Sequence, residues 1–184
     1  SLSDLPKNVK KLGFIAGRQE VKFKDEDPIN VKAVKKVGEL HKSLEASGYK
    51  GHDLEVLLVR LVFCFFADDT RIFENDSFYF FLENQTSESG SDLGTQLNLF
   101  FQILNQPKEE RQGNLNPELA ELPYIDGHLF EERINIPVFT AEMRQVIIDA
   151  ASFDWSQVSP AIFGSMFQSV MDKDQRHDLG AHYT

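Results

Sequence analysis

Residues 54–67 (LEVLLVRLVFCFFA) form the most apolar run of the chain, interrupted only by Glu55 and Arg60. The run is apolar on nearly every face. It predicts a central helix that the rest of the fold must surround. It falls short of the roughly 20 apolar residues that a membrane span needs. Arg60 adds a condition, because a guanidinium inside such a helix must reach the surface or pair with a carboxylate. His52 or Asp53 offers a cap at the start. Asp68-Asp69-Thr70-Arg71 reads as a polar exit with Arg71 as counter-charge; a metal or catalytic pair is the alternative reading of those two acids.

The flanking sequence supplies the surrounding layer. Asp27-Pro28 is a cap followed by a first-position proline. Ile29, Ala33, Val37, Leu40 and Leu44 then fall on one face, with Val34 and His41 beside them. Lys32, Lys35, Lys36 and Lys42 lie away from that face, and Gly48 ends the helix. Residues 75–83 predict a short helix with Phe78, Phe81 and Leu82 inward, and 84–92 (NQTSESGSD) a flexible loop. Leu93, Leu97, Phe100, Phe101 and Leu104 make another helical stripe. Residues 107–123 are polar, with one turn at 117–121, and 124–130 read as a tight turn between two short extended pieces. Thr140 caps a helix carrying Met143, Val146, Ile147, Ala150 and Ala151. Ser159-Pro160 opens the last one, with Phe163, Met166, Phe167, Val170 and Met171 inward. The pattern is all-α: an irregular multi-helix bundle with a short N-terminal arm and at most a small β-hairpin.

A hydrophobic content of 41% with 16 Phe in 184 residues fits a folded globule. Cys64 stands alone, so no internal disulfide forms, and its apolar setting predicts a buried thiol in a reducing, cytoplasmic compartment. His41 reads as an edge-of-core residue, since no partner stands at metal-ligand spacing. The net charge is −10, unevenly spread: residues 1–50 hold 11 Lys/Arg against 7 Asp/Glu, and residues 51–184 hold 8 against 22. The larger part would repel a phosphate backbone. DNA contact therefore falls to Lys7, Lys10, Lys11, Arg18, Lys32, Lys35 and Lys36, unless these form only a solvated lysine face. Glu20-Val21-Lys22, preceded by Asp4, has the residue types of a metal-dependent nuclease hairpin, but no strand pattern surrounds it and it reads as a solvated arm. No catalytic or metal-binding residue is assigned.

Three stretches together resemble one family. They are residues 58–70 (LVRLVFCFFADDT), Gly90-Ser91-Asp92-Leu93-Gly94, and Phe153-Asp154-Trp155-Ser156 followed by residues 159–171 (SPAIFGSMFQSVM). Phe14-Ile15-Ala16-Gly17, the 124–130 turn and the closing Gly180-Ala181-His182-Tyr183-Thr184 add to the set. The chain resembles the helical spacer of MmeI-like restriction–modification enzymes. That resemblance implies a parent in which an endonuclease, this connector, an adenine-N6 DNA methyltransferase and a target-recognition domain share one polypeptide. It implies residues 1–27 as an arm from a preceding domain, 28–175 as the spacer and 176–184 as the start of a methyltransferase. Gly180, Tyr183 and Thr184 would then approach S-adenosylmethionine in the parent, Mg²⁺ would serve a parent nuclease, and double-stranded DNA would be reached through the parent. The chain lacks the Gly-rich cofactor loop and the Asn/Asp-Pro-Pro-Tyr/Phe loop that would hold a flipped adenine. The expectation is a non-catalytic, rigid connector between cleavage and methylation domains, with no membrane contact. A protein-interaction module of a phage-defence methylase and an auxiliary DNA-clamping domain are the alternatives.

Overall fold

The computed structural model describes residues 27–74, 76–161 and 163. The predicted central helix is α2 (His52–Asp69), in which 13 of 18 residues are buried, so it is enclosed on all sides. Helix α1 (Pro28–Ala46) packs across it. Asp27 caps α1 by accepting from Ile29 N at 3.1 Å; Ala33, Leu40 and Leu44 are buried, and Gly48 (φ 89°) turns the chain back. Val34 faces outward, not along the edge of the core as the periodicity suggested.

Short helices complete the shell: α3 (Ser77–Asn84), α4 (Leu93–Leu104), α5 (Pro117–Ala120) and α6 (Ala141–Ala151). Helix α1 packs on α6 and α2, α3 on α2 and α6, and α4 on α5; a 3-10 turn, Trp155–Gln157, closes on α2. Thr140 caps α6 as expected, accepting from Met143 N at 3.3 Å. Phe65, Phe73, Phe78, Phe81 and Phe100 meet at the centre, edge-on or tilted apart from Phe78 and Phe81, whose rings lie nearly parallel at 6.2 Å.

Three sequence expectations are corrected. Neither His52 nor Asp53 caps α2; Gly51 (φ 79°) holds the cap position. His52 Nε2 instead lies 2.9 Å from Glu132 Oε2, and Asp53 Oδ2 accepts from Asn135 N (3.2 Å) and Nδ2 (3.0 Å). Arg60 neither surfaces nor pairs with a carboxylate. It is 2% exposed and donates from Nε to Leu129 O (2.8 Å) and from Nη2 to Glu132 O (2.7 Å), with Phe101 and Phe130 flanking the guanidinium. Residues 128–131 make a turn between two non-helical stretches, and no strand occurs among the described residues, in keeping with at most a small β-hairpin. Within 129–135 the carbonyls of Leu129 and Glu132 and the amide of Asn135 are taken by Arg60 and Asp53 of α2.

The third correction concerns the loop at 84–92, which is fastened in place. Thr86 is buried, donates to Leu82 O at 2.5 Å and accepts from Arg144 Nε at 2.8 Å. Asp92 Oδ1 accepts from Ser87 N at 2.9 Å. Gly90 (φ 73°) lies so close to the next strap that a Cβ would sit 2.5 Å from Thr140 O; at Gly94 a Cβ would sit 2.7 Å from Pro137 O. The Gly-Ser-Asp-Leu-Gly motif is thus a close-approach device. Arg60→Met preserves much of the side-chain volume but leaves two part-buried carbonyls without their donor. Urea unfolding of the variant should show a loss of about 2–4 kcal/mol, and a loss below about 0.5 kcal/mol would contradict the role given to Arg60.

Candidate functional site

Of the residues singled out for DNA, Lys32 and Lys35 stand exposed on α1, while Lys36 is half-buried with Nζ 3.9 Å from Glu39 Oε2. Their spacing puts them on adjacent turns of one face. Lys7, Lys10, Lys11 and Arg18 lie outside the described residues, as do Asp4, Glu20 and Lys22 and the cofactor candidates Gly180, Tyr183 and Thr184. His41 is half-buried at the rim of α1, with Nδ1 3.7 Å from Glu45 Oε2. Among the described residues no group of three or more His, Cys, Asp and Glu is placed to hold a metal ion.

The buried charged side chains have another use. Arg60, Asp68 and Arg144 are the charged residues buried among those described, and each binds backbone. Asp68 accepts from Phe78 N (2.9 Å) and Tyr79 N (2.8 Å), so it caps α3 from the end of α2. Asp69 Oδ2 accepts from Trp155 N at 2.6 Å. The two acids therefore hold backbone amides and do not use Arg71 as a counter-charge. Arg144 Nη2 donates to Leu82 O at 2.8 Å. The half-buried Arg111 reaches Ile103 O, Gln106 O, Ala120 O and Leu122 O, closing the C-terminal ends of α4 and α5. Its sequence context, a lone Arg in a Pro- and Gly-punctuated stretch, carried no sign of this.

A shallow cleft between α4 and the 134–138 strap is lined by residues such as Thr95, Asn98, Asn135 and Pro137, none of them titratable. The Cys64 thiol is fully buried and pushed well above its ordinary range by desolvation and then by the nearby Asp68 charge, so no thiolate is on offer. Trp155 is fully buried, stacked on Phe65 at 5.5 Å, and its Nε1–H donates to Ala150 O at 2.9 Å. Phe163 closes on Phe66 at 4.5 Å, and Ser159 N donates to Asn30 Oδ1 at 3.0 Å. The best-built polar features thus join segments of the chain and present no reacting group.

The described residues form a helical domain whose buried charges answer backbone groups. Residues 52–130 match the family model described as the MmeI helicase spacer domain, and residues 1–47 match that of the MmeI N-terminal domain. DNA methyltransferase A of Bacillus subtilis is 36% identical over 172 residues, covering 91% of this chain and 19% of that protein. The solved structure of the type IIL restriction–modification enzyme MmeI, in complex with DNA, is 52% identical with a TM-score of 0.70, covering 86% of this chain and 21% of that one. The chain belongs to the MmeI family of restriction–modification enzymes. It spans about a fifth of the length of these two relatives. No helix among the described residues is long and apolar enough to cross a membrane.

Burial pushes the Asp68 carboxyl up to about 7, against the pull of the Phe78 and Tyr79 amides, with Asp76 and Asp69 adding to the rise. The folded chain therefore keeps a proton that the unfolded chain releases near pH 4. The stabilisation linked to that proton is complete below about pH 4 and is lost as pH rises through about 7. In urea titrations, Asp68→Asn should flatten the fall in stability between pH 5 and pH 8. An unchanged pH slope would contradict the assignment.

Proposed function

We propose that this chain is the helical spacer of a bifunctional restriction–modification enzyme and links a cleavage domain to an S-adenosylmethionine-dependent, adenine-specific DNA methyltransferase. The spacer itself is non-catalytic. The observation that carries this reading is the occupation of Arg60, Asp68 and Arg144 by backbone groups, in a family whose solved member is a restriction–modification enzyme bound to DNA. Ionisable groups held for catalysis are left facing a substrate; these face the inside of the fold.

The proposed organisation is an arm over residues 1–27, the spacer over 28–175 and the start of the methyltransferase over 176–184. Helix α1 supports the early boundary, because it packs on α6 and α2. Gly180, Tyr183 and Thr184 are the proposed approach to S-adenosylmethionine in the parent, and Mg²⁺ is assigned to a parent nuclease. The cytoplasm is the proposed compartment. DNA contacts from this chain fall to the exposed Lys32 and Lys35, to Lys36, and to Lys7, Lys10, Lys11 and Arg18.

A two-part assay tests the reading. The chain of residues 1–184, given duplex DNA and radiolabelled S-adenosylmethionine, should fold and transfer no methyl groups, whereas the intact enzyme should methylate adenine. Methyl transfer by the 184-residue chain would overturn it. In the intact enzyme, Lys32→Gln with Lys35→Gln should lower the slope of log affinity against log salt by about 2, and an unchanged slope would remove these lysines from the DNA contacts.

A further inference from the structure

Gly38 lies in the middle of α1 and serves no contact among the described residues. Its backbone is ordinary helix, outside the left-handed region that favours glycine, and a Cβ built on it would meet nothing within 4 Å. Gly90 and Gly94 differ, because the backbone of the next strap closes on each of them. A glycine inside a helix lowers stability relative to alanine. At Gly38 neither a turn nor close packing among the described residues offsets that loss. The bare backbone there is room for something that approaches α1 from outside.

The neighbours of Gly38 identify the chemistry of that approach. Val31, Lys35, Gly38 and Lys42 recur at i, i+4, i+7 and i+11, one outward line along the helix. Val31 is 56% exposed, and Lys35 and Lys42 are exposed as well. The two lysines bracket the glycine, one turn before it and one turn after, about 10 Å apart along the axis. Lys32 stands exposed beside them. The two carboxylates of α1 are turned to other groups: Glu39 Oε2 lies 3.9 Å from Lys36 Nζ, and Glu45 Oε2 lies 3.7 Å from His41 Nδ1. Among the described residues, Lys32, Lys35 and Lys42 have no ion-pair partner. Residues 51–184 hold 8 Lys/Arg against 22 Asp/Glu, so α1 is the side from which a polyanion meets least repulsion.

We propose that α1 lies along a DNA backbone, with Gly38 at the point of closest approach and Lys35 and Lys42 on the phosphates to either side. This rests on the DNA contacts proposed for Lys32 and Lys35 and deepens them: it adds Lys42, and it makes Gly38 the residue that sets how near the helix comes. A phosphate at Gly38 meets no side chain and can reach the helix surface, which brings its neighbours within range of both ammonium groups. Lysine suits the task, being a compact charge on a flexible stem. The methyls of Val31 continue the line and would lie against deoxyribose. Such contacts read no base. They raise affinity for duplex of any sequence and weaken as salt rises.

The test uses the full-length enzyme and a fluorescent duplex, with affinity measured against salt concentration and thermal unfolding followed in parallel. Gly38→Ala improves the helix and meets nothing in the fold. Its unfolding midpoint should hold or rise while its affinity for duplex falls by about threefold or more. Lys42→Gln should lower the slope of log affinity against log salt by about 1. Unchanged affinity in Gly38→Ala, or an unchanged slope in Lys42→Gln, would overturn the proposal. A lowered midpoint in Gly38→Ala would show that the glycine serves the fold and would overturn it equally. So would loss of methylation or cutting at unchanged DNA affinity, which would assign the gap to a protein surface. The binding assay needs no catalysis. An enzyme that binds duplex with these changes but neither methylates nor cuts removes the proposed function and keeps this inference; one that methylates and cuts with Gly38→Ala affinity unchanged does the reverse.

Discussion

A cation at the middle of an apolar helix has to be answered inside the protein, and that requirement organises one side of this fold. Arg60 lies at the centre of α2 and is 2% exposed. Burial pulls its guanidinium below its usual range, with Glu132 acting in the opposite sense. It remains a five-donor fork that needs oxygen acceptors. The carbonyls of Leu129 and Glu132 supply them, and the rings of Phe101 and Phe130 cover its faces. Residues 129–135 are thereby held as an irregular strap. Asp53 and Tyr49 extend the grip to Asn135, whose carbonyl accepts from the Tyr49 hydroxyl. Burial, then the Asp53 charge, keep that phenol protonated and able to donate.

The same device recurs wherever the chain lacks regular structure. Arg144 fastens the 84–92 loop to α6, Arg111 closes the 103–122 stretch, Asp68 starts α3, and Asp69 fixes Trp155. Each is a polar side chain bound to backbone and costly to leave half-made, and the two arginines make charge-assisted bonds, stronger than their neutral equivalents. Long connections between short helices would otherwise be the weak points of such a domain. Here charged and polar side chains fasten them to the helices, and that supports the proposed connector role.

The helices were legible in the sequence because their signals are local. Asp27-Pro28, Thr140 and the Phe100–Phe101–Leu104 stripe each mark an element by spacing alone, and the structure has those elements where spacing put them. Arg60 was legible as a problem and not as a solution. Its partners lie 69 and 72 residues away and are backbone carbonyls, which leave no trace in side-chain pattern. Gly90 and Gly94 were visible as a motif, but their reason, contact with the backbone of Thr140 and Pro137, is tertiary. Of the proposed DNA contacts, Lys32 and Lys35 stand exposed and Lys36 half-buried, away from the core face as their spacing put them. The adjacency of Asn30 and Ser159 spans 129 residues and could not be placed from sequence.

The central claim is that the helices and the 155–159 segment form one cooperative unit. Native-state amide hydrogen exchange of the 184-residue chain measures this directly. The account predicts that the Trp155 and Ser159 amides, bound by Asp69 and Asn30, open with the same free energy as the core amides of α2. If those two amides exchange at loop rates while α2 stays protected, the 155–159 segment is not held by the domain and the account is wrong.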